Sequence, residues 1–335
     1  MKLIFKLLTG LVLLVMALMI YIETSSAKKL DAPYPEIRAV QDSAVIARGK
    51  YLAYGPAHCA SCHVPMDRLK DVDQGIEVPL SGGWEFDIPP GTFRAPNITP
   101  DMETGIGKLT DSELARTLRH SVGSDGRFIF PFMPFQEMSD EDLTAVISFL
   151  RYQEPVRHAV LPTELRLLGK GLVAFGVLKP KGPSITPPVA VAKAPTVEYG
   201  RYIANNIANC RACHTKMDMV TGNAIGPEFA GGNEFGVDPF SEGYSFVTPN
   251  LTPHKEFGII AHWSEEAFVG RFKAGRVHKG SPMPWGSFSK MDETELKALY
   301  RYLMSLEPVA HKIEKTVFAP GEEFPPATIA NSSME

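Results

Sequence analysis

The longest apolar run in the chain comes first. Leu7 to Ile22 is almost unbroken, softened only by Thr9 and Gly10, and Lys2 and Lys6 precede it. Positive charge followed by an apolar core marks an export segment. Two fates fit residues 1–27. Ser25 and Ala27 offer the small residues of a cleavage site. Alternatively the run is retained: counted from Leu3, with Lys6 snorkelling to the cytoplasmic surface, it is 20 residues long. That length spans about 30 Å of hydrocarbon, and it favours a retained transmembrane anchor. Both fates place the rest of the chain outside the cytoplasm.

Residues 28–42 read as a polar, proline-containing tether. Helical periodicity then appears in a fixed order. Ser43 to Tyr54 predicts a helix, Thr110 to His120 a short one, and Ser139 to Tyr152 an amphipathic one with Leu143, Val146, Ile147 and Leu150 on one stripe. The order recurs at Val197 to Asn206, at Ser264 to Ala274, and at Asp292 to Ser305 with Leu296, Leu299, Tyr300 and Leu303. Thr110, Ser139, Ser264 and Asp292 are capping residues, and the acids behind them complement the helix dipole.

The recurrence is an internal repeat. Cys59 and Cys210 are 151 residues apart, as are Met66 and Met217. Gly82-Gly83 matches Gly231-Gly232, Pro96-Asn97-Ile98-Thr99-Pro100 matches Pro249-Asn250-Leu251-Thr252-Pro253, Met133-Pro134 matches Met283-Pro284, and Glu154-Pro155-Val156 matches Glu307-Pro308-Val309. Two tandem domains follow, 43–157 and 195–311, joined by a linker, 158–194, and trailed by an irregular tail, 312–335. Within the linker, Leu165 to Leu178 is apolar but too short to span a membrane. It reads either as a helix packed against both domains or as a helix lying at the membrane surface. Two neighbouring domains can bury such residues, which favours the first. Pro180 to Pro195 reads as an extended spacer.

All four cysteines fall in two copies of one motif, Cys59-Ala60-Ser61-Cys62-His63 and Cys210-Arg211-Ala212-Cys213-His214. C-x-x-C-H is the attachment signature of a c-type haem: each thiol adds to a vinyl group, and the adjacent imidazole reaches the iron. A disulfide would leave the histidines unexplained, a thioredoxin-like pair lacks its βαβ pattern, and a zinc site would need the two distant pairs to meet. Two covalently bound haem c groups are therefore expected. The formal net charge is −4 with no long basic run past the first segment, which argues against nucleic acid as a partner.

The two C-x-x-C-H copies, each with a Gly-containing helix before and an aromatic helix after a methionine loop, resemble tandem class I c-type cytochrome domains. Pro96-Asn97-Ile98-Thr99-Pro100-Asp101, Thr104-Gly105-Ile106-Gly107, Leu109-Thr110-Asp111 and Pro131-Phe132-Met133-Pro134-Phe135 resemble more specifically the membrane-bound multihaem cytochrome c subunits of bacterial alcohol, aldehyde and gluconate dehydrogenase complexes. The resemblance covers roughly residues 43–310. It implies an all-α fold of two such domains with long Gly/Pro loops, besides the single N-terminal transmembrane helix. That family's subunits carry three haem motifs and this chain has two, which leaves its place in a complex open.

The resemblance also places a distal methionine ligand at Met133 and Met283, in matched proline loops walled by aromatics, opposite the proximal His63 and His214. Met66 and Met217 lie on the proximal side, and Met138 and Met291 start the last helices. His120 and His278 are rivals without a histidine counterpart in the other repeat. Asn97 and Asn250 read as turn residues, or as loop residues touching the haem edge. No catalytic residue stands out. The implied function is relay of single electrons between a dehydrogenase and a quinone- or oxidase-linked respiratory acceptor, from the inner membrane with the haem domains in the periplasm. The alternative is a dihaem enzyme, a peroxidase or sulfur-compound oxidase, with one displaceable iron ligand.

Overall fold

A computed structural model of the chain describes residues 1–130, 132–218, 222–238 and 240–324. Helix α1 (Lys2–Ser26) is followed by α2 (Ser43–Tyr54), a 3-10 turn (Cys59–Ser61) and the short α3 (Leu69–Asp73). Strands β1 (Glu85–Ile88) and β2 (Gly91–Arg94) form a hairpin, and α4 (Asp111–His120) and α5 (Asp140–Tyr152) complete the first half. Strand β3 (Glu164–Leu165) and α6 (Leu167–Ala174) lie in the linker. The second half holds α7 (Val197–Tyr202), α8 (Cys210–His214), β4 (Glu234–Phe235), β5 (Ser245–Val247), α9 (Glu265–Lys273), the single turn α10 (Trp285–Phe288), α11 (Glu293–Met304) and β6 (Val317–Phe318).

The helix starts follow from their caps. Thr110 forms a full capping box with Glu113, and Ser139, Ser264 and Asp292 each accept a backbone N–H from the third residue of their helix. In each half the first and last helices cross at a glycine. A Cβ on Gly49 would lie 1.8 Å from the Ala145 carbonyl oxygen, and one on Gly200 would lie 2.0 Å from that of Ala298. Only hydrogen fits between those backbones.

The helical reading holds, but it omitted two small antiparallel sheets. β1, β2 and β3 form one, and β4, β5 and β6 the other. Each takes its third strand from outside the predicted domain. Glu164–Leu165 of the linker pairs with Thr92 and Gly91, and Val317–Phe318 of the tail pairs with Phe246 and Ser245. Two-residue strands have no alternation long enough to show in a sequence. The tail is thus ordered through Phe318, and its residues 325–335 lie outside the described ones.

The segment read as a tether is docked along the first half. The Arg116 guanidinium donates to the Leu30 carbonyl and to the Tyr34 hydroxyl, and its charge lies 4.6 Å from the Tyr34 ring centre. Ala39 N–H donates to Asp111, Val40 N–H to Ser148, and Ile37 is buried. The spacer is docked too: Asp140 and Glu141, opening α5, donate their N–H groups to Pro188 and Val189. One apolar core runs through both halves, from Leu52, Ile147 and Leu143 to Ile203, Leu296 and Leu299. Helix α6 is not shared between them. It lies against α1, with Leu167, Leu168 and Phe175 more than half exposed. The preferred reading of a helix buried by both domains is corrected: the core closes without it.

Candidate haem-binding sites

Each motif begins on a left-handed residue. His58 has φ 42° and Asn209 has φ 55°, and these turn the chain abruptly into the 3-10 turn and into α8. Cys59 and Cys210 are half-buried against the core, Cys62 is half-buried and Cys213 is exposed. His63 N–H closes back on the Cys59 carbonyl at 2.8 Å. Burial pushes the thiols of Cys59, Cys62 and Cys210 up to about 12, so the free side chains would stay protonated.

The histidines are held the same way twice. His63 Nδ1–H donates to the Pro96 carbonyl at 2.8 Å, and His214 Nδ1–H to the Pro249 carbonyl at 3.2 Å. A carbonyl only accepts, so Nδ1 carries the proton and Nε2 keeps its lone pair for a metal. Burial lowers both imidazoles below the ordinary histidine range, His214 to about 4, which keeps them neutral. The carbonyls of the histidines are fixed as well, by Gly82 N–H at 2.9 Å and Gly231 N–H at 2.8 Å. Both glycines have φ +73°, and a Cβ on either would come within 2.4 Å of the proline loop or its approach, at Pro96 or Thr248.

Asn97 and Asn250 hold those proline loops. Asn97 Nδ2 donates to the carbonyls of Val156 (2.8 Å) and His158 (3.3 Å), and its Oδ1 accepts from Thr99 N–H. Asn250 repeats this with Val309 (2.9 Å), His311 (3.1 Å) and Thr252. Both are almost fully buried. They act as staples between the proline loop and the segment after the last helix.

Two histidines escaped the sequence reading. His158 Nδ1–H donates to the Ser81 carbonyl and His311 Nδ1–H to the Ala230 carbonyl, at 2.9 and 2.8 Å, and each ring covers a glycine, Gly83 or Gly232. Their signal was the repeat itself, since each follows Pro-Val by two residues. His120 points to the linker, its ring against Gly182, and burial with the nearby Arg119 and Arg116 lowers it. His278 is exposed.

Met133 and Met283 are half-buried and packed against the core. The Met133 carbonyl accepts from Gln136 Nε2 at 2.9 Å, and that of Met283 accepts from Trp285 N–H at 2.8 Å. Met138 and Met291 are buried in the core, and Met66 is exposed. The structure therefore brings the thiol pair and a neutral imidazole together in each half, with an apolar loop methionine in the same half. The chemistry of this donor set fits haem c. So does the indole Nε1 of Trp84, two residues beyond Gly82, which is buried without a partner among the described residues and would suit an anionic group.

No family model matches the chain. Curated relatives do. A cytochrome c subunit of alcohol dehydrogenase (quinone) from Gluconobacter oxydans is 29% identical over 289 residues, 80% of this chain and 56% of that subunit. The gluconate 2-dehydrogenase cytochrome c subunit of Pantoea cypripedii is 27% identical over 301 residues, 84% of this chain and 64% of that subunit. The chain thus spans little more than half the length of such subunits. A diheme c-type cytochrome of Cereibacter sphaeroides is 30% identical over 219 residues, 63% of this chain and 70% of the relative. With that coverage, and with both motifs built around a metal-ready imidazole, the chain belongs to the c-type cytochromes.

Proposed function

We propose that this protein is a dihaem electron carrier that relays single electrons outside the cytoplasm, from a dehydrogenase to a quinone- or oxidase-linked acceptor. Residues 43–157 and 195–311 each form one cytochrome c domain. Cys59 and Cys62 tether one haem, Cys210 and Cys213 the other. His63 and His214 are the proximal ligands, and Met133 and Met283 the distal ones. The observation that carries the reading is the twofold occurrence of a C-x-x-C-H histidine whose Nδ1 is committed to a prolyl carbonyl. Haem, when bound, supplies the one-electron iron couple.

The chain's own residues then set its working conditions. The prolyl carbonyls orient the imidazoles and raise their basicity. The methionine thioethers would hold the potential high and close the sixth position to substrate. Relatives named as cytochrome c subunits of dehydrogenases support the donor class. Helix α1 is read as a retained inner-membrane anchor with the haem domains in the periplasm. Its support is contact with the body of the protein: Lys170 pairs with Glu23 at 2.7 Å, and the Tyr21 and Phe175 rings lie 5.5 Å apart.

Intact-mass spectrometry of the exported, denatured protein tests the core of the proposal. The expected mass is the chain plus two haems. A chain without covalent addition overturns it, and a single addition overturns the dihaem relay.

A further inference from the structure

Helix α6 and the turn after it carry an apolar face that no described residue covers. Leu167, Leu168, Phe175 and Val177 are 53, 52, 59 and 43% exposed, and with Gly171 and Leu172 they line one open groove. Exposed apolar residues scattered singly need no explanation, but a contiguous patch of this kind marks a binding surface.

The occupant follows from where the patch lies. It is continuous with the outer end of α1: the Tyr21 hydroxyl reaches the Ala174 carbonyl at 3.4 Å, and Tyr21 packs on Phe175. The large apolar side chains of α1 from Leu3 to Tyr21 are themselves 45–71% exposed around the whole helix. A helix of 25 residues is about 37 Å long, enough to cross a bilayer. Tyr21 and Phe175 then stand at the level where aromatic rings collect in membranes. Basic residues surround that level. Lys28 and Lys29 directly follow α1 and Lys179 closely follows the patch, and none of the three forms an ion pair among the described residues, whereas Arg166 and Lys170 are already paired with Asp87 and Glu23. Such a pattern, apolar face inward and cations at the rim, suits anionic phospholipid.

We infer that residues 167–177 are a second membrane contact, seated in the outer-leaflet interface of an anionic bilayer beside the end of α1. This rests on the anchor reading above and extends it. Its consequence is orientation. Helix α6 is fixed to the first haem half: Gly169 lies so close to the Pro90 carbonyl that a Cβ would be 2.1 Å away, and Arg166 N–H donates to that carbonyl at 2.9 Å. The Arg166 guanidinium also binds the Ile88 carbonyl and Asp87, and β3 extends the β1–β2 hairpin. One helix through a membrane lets a domain swivel; two contacts, both rigidly joined to it, do not. The haem face offered to a partner would hold a constant height and tilt above the lipid.

The test uses the full-length haem-loaded protein in vesicles of equimolar phosphatidylethanolamine and phosphatidylglycerol. A membrane-dissolved photoreactive probe is activated, and labelled peptides are mapped. Label in both α1 and 167–177 supports the inference, and Leu168→Glu with Phe175→Glu should remove it from 167–177 while α1 labelling and the haem spectrum stay unchanged. Label in α1 alone overturns the inference and leaves the anchor reading standing. Label in neither overturns both. An unlabelled 167–177 in a chain that runs as a dimer in nanodiscs means a second copy covers the face, and also overturns it.

Discussion

The Tyr202 hydroxyl donates to Asp142 Oδ2 at 2.8 Å across the boundary between the two halves, while accepting the Ser139 N–H at 2.9 Å that opens α5. Tyr51 does the same in reverse. It accepts the Asp292 N–H that opens α11, at 2.9 Å, and donates to Glu295. The tyrosines are repeat partners, as are the two carboxylates, so each half caps the last helix of the other. Arg48 joins the pairs, with Asp142 at 2.9 Å and Glu295 at 3.2 Å, and Tyr199 adds a 3.1 Å bond to Glu295. Glu295 is fully buried. A buried charge with these partners is costly to strand.

Tyr202→Phe and Tyr51→Phe should therefore each destabilise the protein by about 1–3 kcal/mol, and the pair should not be additive, because both feed one network through Arg48. Denaturant midpoints of the two single variants and the double variant measure this. Strict additivity would mean the two bonds are independent. A loss near zero would mean the halves do not depend on them at all.

How much of this was legible in the chain beforehand varies with the range of the interaction. Helix starts were readable because Thr110, Ser139, Ser264 and Asp292 act on N–H groups three residues away. The two C-x-x-C-H motifs stand out in the chain because haem attachment would demand that spacing. The two sheets were not, since β3 and β6 borrow two residues each from segments some 70 residues from their partners. Nor was the docking of residues 28–42, which depends on Arg116 reaching Leu30 and Tyr34 over more than 80 positions. Helix α6 was misjudged for a related reason: apolar content says that a helix needs cover, not what covers it. His158 and His311 carry a sequence signal, since each follows its matched Pro-Val by two residues.

Gly49 and Gly200 make the helix crossings testable. Gly49→Ala places a methyl 1.8 Å from the Ala145 carbonyl oxygen, a backbone atom that cannot step aside. The expected loss is about 1–3 kcal/mol or more, seen as a lower melting temperature or a poor yield of haem-loaded protein. Gly10→Ala, in open space on α1, serves as the contrast and should be silent. Equal melting curves for Gly49→Ala and the parent would refute the close crossing.

Asn97 and Asn250 should tune one haem each. Loss of the Asn97 amide frees the loop that presents the Pro96 carbonyl, weakens the Nδ1–H bond of His63, and makes the imidazole a poorer donor to iron. Asn97→Ala should raise one of the two reduction potentials and leave the other in place, and Asn250→Ala should move the other one. A redox titration followed in the haem bands resolves the two. If both potentials stay fixed in both variants, the asparagines serve stability alone.

His58 predicts a pH dependence. Burial, opposed only by the Pro56 carbonyl, lowers its pKa in the folded protein below the ordinary 6.5. A histidine kept neutral on folding takes up more protons when unfolded. Its contribution is present above pH 6.5 and is lost as pH falls below that value toward the lowered folded pKa. Replacement by Asn copies Asn209, which holds the same left-handed turn in the other half, at φ 55° against 42°. His58→Asn should make the denaturation midpoint less sensitive to pH between about 7 and 5. An unchanged slope would show that the ring is already protonated in the folded state or titrates elsewhere.

Met133 and Met283 supply the most direct test of the proposed ligand set. Both lie half-buried against the core in loops braced by backbone bonds, Gln136 to the Met133 carbonyl and Trp285 to that of Met283. Aromatic cover reinforces the second loop: the Arg271 guanidinium lies 3.7 Å from the Trp285 ring centre, and Phe272 packs against the same indole at 5.6 Å. A braced loop gives a flexible thioether a fixed point of departure. The oxidised protein should then show the near-infrared band of thioether-to-iron coordination. Met133→Ala and Met283→Ala should each remove part of that band, and the double variant all of it. Each single variant should also lower one potential, because a weaker or water ligand no longer favours the reduced iron. A band that survives the double variant would transfer the role to another methionine. A protein that never shows the band would point to nitrogen ligands in place of both thioethers.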